Sequence, residues 1–452
     1  MKIFIRFLIA GLYILCVTNY LNADTIGQSV GIASSPNPVG SGARAIGMGG
    51  AFIAVADDAT AASWNPAGLI QLETPELSIV GAYVQRKEDF YSSIHPESNS
   101  KISIDESSIN YFSATYPFTW LDRNMVVSIN YQRLYDFRRN LDYQLVLTST
   151  TPPPLSITTT STEHRRYNQD GYLSALGLAY AVQITPRISI GLTMNLWTDR
   201  LGWENGWEST YSNHSTTTFG SINVIEDLII DEKYSGFEGV NLNFGMMWKN
   251  KKDNLTLGAV LKTPFKADLH YENTEIYTRD ENGIITSNPP IQYSEENELE
   301  MPISYGIGAS WRFSDNFTID ADVYRTHWSD YTLTNSEGQA FNPIDALPKS
   351  QSDVKDTTQV RIGGEYLIIN PGKQWVIPIR GGLFYDPEPY TGKIKDFYGI
   401  SIGSGFGYKR YIFDIAYQFR MGRDVETGTL IKTSNADVNQ HTVYASLIYY
   451  FE

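Results

Sequence analysis

The residues best suited to catalysis in this sequence are its histidines, and they are scattered: His95, His164, His214, His270, His327 and His441. No two of them have the close spacing of a helical metal site or a zinc ligand set. The tetrapeptide His327-Trp328-Ser329-Asp330 contains a base, a nucleophile and an acid, but neighbours along a strand point to opposite faces and cannot converge. We therefore expect no enzyme activity, no catalytic residue, no metal and no cofactor.

A second set of candidate functional residues is charged. These residues lie on the polar face of segments in which apolar and polar residues alternate. Such residues can pair with one another and hold a wall together. Alternatively, an unpaired Arg or Lys could bind the carboxylate or polar head of an apolar ligand, a geometry that suits arginine. Both interpretations stay open for this set, which comprises Lys262, Arg312, Asp320, Asp322, Arg361, Glu365, Arg380, Asp414 and Arg420.

The segments that carry these charges are about ten residues long and alternate apolar with polar residues, as in membrane β-barrels. Along residues 316–328, for example, Ile319 faces the opposite way from Asp320. The pattern predicts fourteen strands, near 75–85, 107–117, 124–134, 170–184, 186–198, 238–249, 254–263, 302–313, 316–328, 357–369, 375–385, 397–409, 411–420 and 441–451.

The predicted connections alternate in length. Short turns such as Ser314-Asp315 alternate along the chain with long polar segments near 86–106, 135–169, 199–237, 264–301, 329–356, 386–396 and 421–440. Outer-membrane barrels have short periplasmic turns, long extracellular loops and an even number of strands, which leaves both termini in the periplasm. The sequence therefore predicts an all-β, transmembrane antiparallel β-barrel of about 14 strands in the outer membrane.

A soluble β-sandwich or β-propeller would also show alternating strands. The polar faces here are too small to build a packed soluble core, as in Gly239, Asn241, Asn243 and Gly245. The opposite faces are apolar, with aromatic residues towards the strand ends like the girdles of membrane barrels. This contrast favours lipid outside the barrel and water inside it.

Charge and the amino terminus limit the class further. A formal charge of −15 argues against nucleic-acid binding, which needs clustered Lys and Arg. Residues 1–23 place Lys2 and Arg6 before an apolar core, which indicates a secretory signal peptide cleaved after Ala23; a retained anchor is the alternative. The single cysteine, Cys16, lies in this segment, so the mature chain is expected to contain no disulfide.

Residues 40–69, GSGARAIGMGGAFIAVADDATAASWNPAGL, resemble the amino-terminal hatch of the FadL/TodX family of outer-membrane transporters for long-chain fatty acids and other hydrophobic compounds. Asn65-Pro66-Ala67 matches the family's Asn-Pro-Ala motif. Later segments follow in the family's order: LTLGAVLKTPFKADL, LEMPISYGIGASWRFSDNFTIDADVYRTHWSDY, VRIGGEYLI and PIRGGLFYDPEPY. We expect a signal peptide at residues 1–23, a hatch at 24–72 and a barrel at 73–452.

The resemblance implies a monomeric channel for diffusive uptake of long-chain fatty acids or other hydrophobic small molecules. Extracellular loops would capture the ligand, the lumen would bind it, and it would leave sideways into outer-membrane lipid through a kink in the third strand. That strand, NMVVSINYQRL, contains no Gly or Pro to mark a kink. The last strand, HTVYASLIYYFE, resembles the terminal aromatic strand that the outer-membrane assembly machinery reads, which makes that machinery an expected partner.

The hatch residues are expected to enter from the periplasmic rim and close the lumen. Asp57, Asp58 and Asn65 would bond to lumen-facing Arg and Lys, and Pro66 would fix the turn before the first strand. A structural plug and direct ligand contact both stay open. The plugging or gating residues are expected to be Gly42, Arg44, Gly49, Gly50, Asp57, Asp58, Asn65, Pro66 and Ala67.

Two other functions compete with transport of hydrophobic compounds. The segment RAIGMGGAFIAVADDATAASWNPAGL also resembles PorV-like barrels that serve secretion or surface attachment, which would make the protein an interaction partner. A general porin for small polar solutes is weakened by the plug-like segment. Apolar residues at 201–208 and 224–230 predict either a capture groove or partner surface, or a loop that packs on itself.

Overall fold

The computed structural model describes residues 40–150, 158–200, 202–220, 222–427 and 434–451. The predicted signal peptide at residues 1–23 and the first part of the predicted hatch, residues 24–39, lie outside the described residues. Residues 151–157, the centre of a Thr- and Pro-rich segment, also lie outside them.

The described chain is almost entirely β-structure. Its strands, numbered in chain order, are β1 Glu76–Ser92, β2 Ser100–Trp120, β3 Arg123–Asp136, β4 Arg139–Thr150, β5 Thr158–Thr185, β6 Ile188–Trp197, β7 Gly206–Phe219, β8 Ile222–Lys249, β9 Leu255–Lys262, β10 Phe265–Glu281, β11 Ile284–Ser287, β12 Ile291–Met301, β13 Ser304–Ser314, β14 Phe317–Thr326, β15 Thr332–Thr334, β16 Ala340–Phe341, β17 Thr357–Asn370, β18 Trp375–Tyr385, β19 Phe397–Tyr408, β20 Tyr411–Glu426 and β21 Ser434–Tyr450.

Fourteen of these strands form a closed antiparallel barrel. The barrel closes because β1 pairs with β2 on one side and with β21 on the other. Each predicted strand overlaps one barrel strand, so the predicted fold class is confirmed. The order around the barrel is β1, β2, β3, β5, β6, β8, β9, β13, β14, β17, β18, β19, β20 and β21.

The alternation of the sequence explains this wall. On β14, Val323 is 43% exposed on the outer surface, whereas Asp322 beside it is 3% exposed and faces the lumen. Ile307 and Leu383 on other strands are exposed in the same way. Apolar side chains on the outside of a barrel are stable in lipid, whereas charged side chains need the polar interior.

Five of the seven long segments between the predicted strands are largely strands themselves, which corrects their assignment as polar connections: 86–106, 135–169, 199–237, 264–301 and 421–440. The other two, 329–356 and 386–396, are mainly connections, as predicted. β5 and β8 each run for 28 residues and, with β4, β7, β10 and β12, extend the sheet beyond the barrel. In β4 the buried residues are Leu141, Tyr143 and Leu145, which alternate with exposed polar residues. Outside the membrane the apolar face must turn inward, so these strands lack the outward apolar pattern used to find the others.

The helices of the described residues are short. Ala43–Gly47 and Ala61–Trp64 are α-helical and Pro66–Gln71 is a 3-10 helix, all before β1. Further 3-10 turns occupy Pro96–Ser98, Trp328–Asp330 and Pro371–Lys373. Within the part of the chain that the structure describes, no helix is long and apolar enough to cross a membrane.

The third strand is irregular although it contains no Gly or Pro. β3 pairs with β2 only as far as Gln132, opposite Tyr111. Its register against β5 then shifts between Arg133 and Tyr135. Above this point, residues 100–109 of β2 pair with β1, and side-chain contacts of Asn110 and Glu106 rather than a described backbone ladder connect β2 to Arg133 of β3. We call this contact the β2–β3 seam.

Candidate functional site

Residues 40–72, called the amino-terminal segment below, pack against the lumen-facing side of the barrel wall. Asn65 donates hydrogen bonds from Nδ2 to the carbonyl oxygen of Ile53 at 2.9 Å and to that of Met246 on β8 at 3.2 Å. Ser189 on β6 donates its hydroxyl to the carbonyl of Ala67 at 3.0 Å. The predicted Asn-Pro-Ala motif therefore joins the segment to itself and to two strands.

Glycines in the wall make room for this segment. A Cβ added to Gly363 would lie 2.0 Å from the carbonyl oxygen of Met48, and one added to Gly191 would lie 2.3 Å from the backbone of Pro66. A Cβ added to Gly382 would lie 2.3 Å from the backbone nitrogen of Gly49. Gly245, one of the small lumen-facing residues noted in the sequence, is covered in the same way, since an added Cβ would lie 2.8 Å from the backbone nitrogen of Ala67.

Arg44 connects the amino-terminal segment to the wall by charge. Its guanidinium contacts Asp57 of the same segment at 2.5 Å and Glu365 of β17 at 2.9 Å. Glu365 also accepts from Arg380 of β18 at 2.6 Å, and Arg380 contacts Asp414 of β20 at 2.6 Å. Five charged groups on four elements therefore form one continuous chain of ion pairs.

The expected bonds from Asp57, Asp58 and Asn65 to basic residues of the wall were predicted wrongly. Asp57 pairs with Arg44 of its own segment, and Asp58 accepts from the hydroxyl and backbone nitrogen of Thr60 at 2.6 and 2.8 Å. The charges of the contact are the reverse of those predicted: the amino-terminal segment supplies the cation, Arg44, and the wall supplies the carboxylate, Glu365.

Two further wall residues bind the backbone of the amino-terminal segment. Asp322 accepts hydrogen bonds from the backbone nitrogens of Phe52 at 2.6 Å and Ile53 at 2.9 Å. Arg361 donates to the carbonyl of Gly49 at 2.9 Å. The glycines predicted for plugging adopt positive φ, 115° at Gly42, 71° at Gly49 and 75° at Gly50, a conformation that few other residues take.

The remaining predicted lumen residues differ in whether they lie in the lumen. Asp320, 1% exposed, lies on the same face of β14 as Asp322 and opposite Ser310 of β13. Arg312 does not join the network: it is exposed near the end of β13 and pairs with Asp315 in the short turn at 3.1 Å. Parity along a strand places Arg312 correctly on the polar face, but at the rim such a side chain reaches solvent instead of a lumenal partner.

Lys262 lies at the end of β9 beside a small cavity of about 40 Å³ in the lumen. Its ammonium nitrogen is 5.7 Å from the ring centre of Tyr324. The cavity is lined by aromatic and amide side chains, among them Tyr135, Asn195, Trp197, Asn243, Phe265 and Trp328. A cation within an aromatic and amide lining can bind a polar head whose tail is apolar.

Apolar side chains continue from this cavity towards the extended sheet. One cluster, called the aromatic cluster, includes Phe137, Trp197, Trp207, Tyr234 and Phe265. Trp207 stacks on Tyr234 with ring centres 4.6 Å apart, and Trp197 stacks on Phe265 at 5.5 Å. Trp207 belongs to the 201–208 segment singled out in the sequence, and its indole is buried inside the extension.

A second apolar surface, called the outer apolar cluster, lies further out on the inner face of β4, β5, β7 and β8. Its members are Leu141, Tyr143, Leu145, Tyr167, Tyr211, Leu228 and Ile230. Leu228 and Ile230 belong to the apolar run 224–230. The apolar residues of segments 201–208 and 224–230 therefore pack with neighbouring strands in the interior of the extension. The alternation of apolar and polar residues within these segments is the sequence signal that indicates this packing.

Sequence reasoning predicted Arg420 as a lumenal charge but missed its partner Glu388 and the neighbouring Arg86, which form with it a group of charges called the outer charge cluster. Arg86 and Arg420 both contact Glu388, at 3.4 and 2.9 Å, and Glu388 lies in the connection between β18 and β19. Burial alone would raise the pKa of Glu388, but Arg86, Arg420 and Lys395 outweigh burial and lower this pKa to about 2. The carboxylate is therefore ionised at any physiological pH.

Two larger cavities lie at the end of the barrel where short turns connect the strands. One of about 400 Å³ is bounded by Arg44, Glu365 and Arg380 and by apolar residues such as Val376 and Ile448. The other, of about 710 Å³, lies near Gln71 and Lys249, which hydrogen-bond to each other at 2.8 Å. Both adjoin the amino-terminal segment on the side that faces the periplasm in outer-membrane barrels.

Among the described residues, no group of three or more His, Cys, Asp or Glu side chains could hold a metal ion. His327, singled out in the sequence, forms a 3.4 Å ion pair with Asp356 instead. The neighbouring Ser329 hydroxyl also donates to Asp356, at 2.8 Å.

The chain was compared with known proteins. A family model described as outer membrane protein transport protein (OMPP1/FadL/TodX) matches residues 31–443. A FadL homologue of Pseudomonas aeruginosa is 14% identical with a TM-score of 0.54, over 91% of this chain and 99% of that one. The toluene transporter TodX of Pseudomonas putida is 15% identical with a TM-score of 0.57, over 92% and 100% of the two chains.

A third solved structure, the toluene transporter TbuX of Ralstonia pickettii, is 15% identical with a TM-score of 0.51, over 92% of this chain and 100% of that one. No curated protein matches the chain by sequence. At these identities the solved structures support the fold, whereas the family model covers most of the sequence. The chain therefore belongs to the FadL/TodX family of outer-membrane transport proteins.

Proposed function

We propose that this protein is a passive outer-membrane channel for the uptake of hydrophobic small molecules, long-chain fatty acids among them. The observation that carries the proposal is the pair of apolar clusters that lead to Lys262, namely the outer apolar cluster and the aromatic cluster, with a narrow polar layer of Gln169, Ser209 and Glu232 between them. Each CH₂ group moved from water to an apolar surface gains about 0.8 kcal/mol. An acyl chain or an aromatic hydrocarbon is therefore stabilised at each of the two clusters.

The lumen site would accept the polar end of such a ligand at Lys262. The cavity there, about 40 Å³, exceeds the roughly 10–15 Å³ needed for one water but is far below the roughly 300–1,000 Å³ of typical ligand pockets. A ligand must therefore displace aromatic side chains such as Trp197 and Phe265. The route is closed without ligand and opens by rearrangement.

The amino-terminal segment would gate the lumen. It is held by the Arg44–Glu365 ion pair, by the hydrogen bonds that Asp322 accepts and by the one that Arg361 donates, all of them separate from the aromatic cluster. A direct passage to the periplasm would require these contacts to break. An apolar ligand also gains nothing by entering water, so a sideways exit into lipid is favoured.

The β2–β3 seam supports a lateral exit in this chain. Arg133 of β3 contacts Glu106 of β2 at 3.1 Å, and Asn110 donates to the carbonyl of Arg133 at 3.2 Å. Arg138 also pairs with Glu106. Partly exposed ion pairs contribute little to stability, so a few side chains can separate at far lower cost than a backbone ladder.

The test is uptake of radiolabelled oleate and toluene by cells that lack the gene and are complemented with wild type or Lys262→Gln. We expect wild type to restore uptake of both compounds, and Lys262→Gln to reduce oleate uptake about tenfold with a small effect on toluene. Lys252→Gln, an exposed lysine in the turn that leads into the same strand, is the matched control and should behave as wild type. Unchanged uptake of both compounds in cells without the protein would refute the proposal.

A further inference from the structure

Two histidines lie side by side on the outer face of the extension. His164 of β5 and His214 of β7 are direct register partners of the two antiparallel strands. Directly opposite residues of such a pair share a face, with Cβ atoms about 4.5–5.5 Å apart. Their chain neighbours Glu163 and Ser215 are buried, whereas the side chains of His164 and His214 are 33% and 54% exposed. Both imidazoles therefore project into water from adjacent strands.

An aspartate contacts each imidazole from the strand on its far side. Nε2 of His164 lies 2.6 Å from the carboxylate of Asp142 on β4, and Nδ1 of His214 lies 2.6 Å from the carboxylate of Asp227 on β8. Since β4 pairs with β5 and β8 pairs with β7, the four side chains form one row across four adjacent strands. A neutral imidazole that donates one N–H to a carboxylate keeps a lone pair on its other nitrogen. The lone pairs then reside on Nδ1 of His164 and Nε2 of His214.

The row has the composition of a metal site with its supporting carboxylates. A histidine that binds a metal almost always donates its second ring N–H to a carboxylate, a carbonyl or water, which fixes the tautomer. Metal–nitrogen distances are about 2.0–2.1 Å for zinc, so two imidazoles that share one ion must start from neighbouring Cβ atoms. Directly opposite residues on adjacent strands meet this condition.

Two separate surface ion pairs explain the arrangement less well. As an ion pair, each contact between histidine and aspartate requires a protonated imidazole, and two like charges directly opposite on neighbouring strands repel each other. A shared divalent cation takes the place of protons on the imidazoles and removes this repulsion. Arg166, which follows His164 on the same face of β5, contacts Asp142 at 3.3 Å, so the charge of Arg166 is compensated by that carboxylate.

His270 of β10 shows the environment of an isolated histidine in the same extension. Its Nδ1 lies 2.8 Å from the carboxylate of Glu296, which is the same kind of contact. Its register partners are Ser235 on β8 and Glu296 on β12, and neither is a histidine. His270 therefore has the carboxylate without the second imidazole and provides a matched control.

From this placement we propose that His164 and His214 together bind one divalent transition-metal ion, such as Zn²⁺ or Cu²⁺, on the outer face of the extension. Imidazole nitrogen suits these ions, whereas Mg²⁺ and Ca²⁺ prefer oxygen ligands. Asp142 and Asp227 are positioning residues that orient the two rings, and water completes the coordination. The ion joins β5 to β7 on the face opposite the outer apolar cluster, so the site does not depend on the proposed transport function.

Isothermal titration calorimetry of the folded protein in lipid nanodiscs, purified without a polyhistidine tag, tests the site. We expect wild type to bind one Zn²⁺ per chain. Asp142→Asn and Asp227→Asn should each weaken Zn²⁺ binding about 10–100-fold, and His164→Gln and His214→Gln should weaken it at least as much as the larger of these losses. His270→Gln should bind Zn²⁺ as wild type does, and Ca²⁺ should give no heat of binding at the same concentrations.

Electron paramagnetic resonance of bound Cu²⁺ distinguishes the ligands from the positioning residues. Wild type should show two coordinated nitrogens and each of the two histidine variants one, whereas Asp227→Asn should keep two at lower affinity. A Zn²⁺ affinity of His164→Gln equal to that of His270→Gln would overturn the site. Binding of Ca²⁺ that Asp142→Asn abolishes would also overturn it, because carboxylates would then hold the cation. Heat-modifiable electrophoretic mobility checks that each variant is a folded barrel.

Discussion

The guanidinium of Arg44, in the amino-terminal segment, lies 2.9 Å from the carboxylate of Glu365 in the barrel wall. The carboxylate is 6% exposed and the arginine side chain 20%, so the pair sits at the edge of the lumen rather than in bulk water. It joins residues that are 321 positions apart in the chain. The segment and the wall are therefore connected by a contact that a single substitution can remove.

The first prediction concerns this contact. Arg44→Gln should loosen the amino-terminal segment, because it breaks the contacts of Arg44 with Glu365 and Asp57, although Glu365 keeps Arg380 as a partner. A hydrogen bond to a charged group contributes about 1.5–3 kcal/mol. Single-channel recording in planar bilayers should then show larger and more frequent openings than wild type.

Arg312→Gln is the matched control, since this arginine of the wall is exposed and pairs only with the short turn. It should leave the conductance unchanged. A conductance of Arg44→Gln equal to that of Arg312→Gln would contradict a restraining role for the pair.

The second prediction uses two adjacent glycines of β17. Gly363→Ala should displace the amino-terminal segment, because its Cβ would lie 2.0 Å from the carbonyl oxygen of Met48. Gly364→Ala should be tolerated, since its Cβ meets no described atom closer than the carbonyl of Thr318 at 3.3 Å. Protease sensitivity of the segment in folded protein should rise for Gly363→Ala alone. Equal sensitivity of both variants would argue that the segment does not rest on this strand.

The sequence predicted the barrel well because one rule governs its whole wall. Each membrane strand must place apolar side chains in lipid and polar ones in the lumen. The alternation of residues such as Val323 and Asp322 therefore indicates a strand without any other information. The same rule fails outside the membrane, where Leu141 and Tyr143 turn inward. Strands there look like polar connections with scattered apolar residues.

The candidate site was predictable only in part. Parity along strands identified the lumenal positions of Asp322, Glu365 and Arg380, since neighbours along a strand face opposite ways. Parity does not give height along the barrel, so Arg312 at the rim looked the same as Arg361 inside it. Nor does it give partners from distant connections: Arg420 contacts Glu388, in the connection between β18 and β19, only after the sheet has closed.

The third prediction tests the lateral exit at the β2–β3 seam. The only cysteine of the sequence, Cys16, lies in the predicted signal peptide, so thiols can be introduced without background. Glu106→Cys combined with Arg133→Cys, joined by a short reducible bifunctional thiol reagent, should lower uptake of oleate and toluene. Reduction of the linker should restore it.

The control for the seam is a second pair across a continuous ladder. Arg325 of β14 donates to Thr358 of β17 at 3.0 Å, and the two residues are register partners. Arg325→Cys with Thr358→Cys, cross-linked in the same way, should leave uptake unchanged. Full uptake through a completely cross-linked seam would rule out that exit.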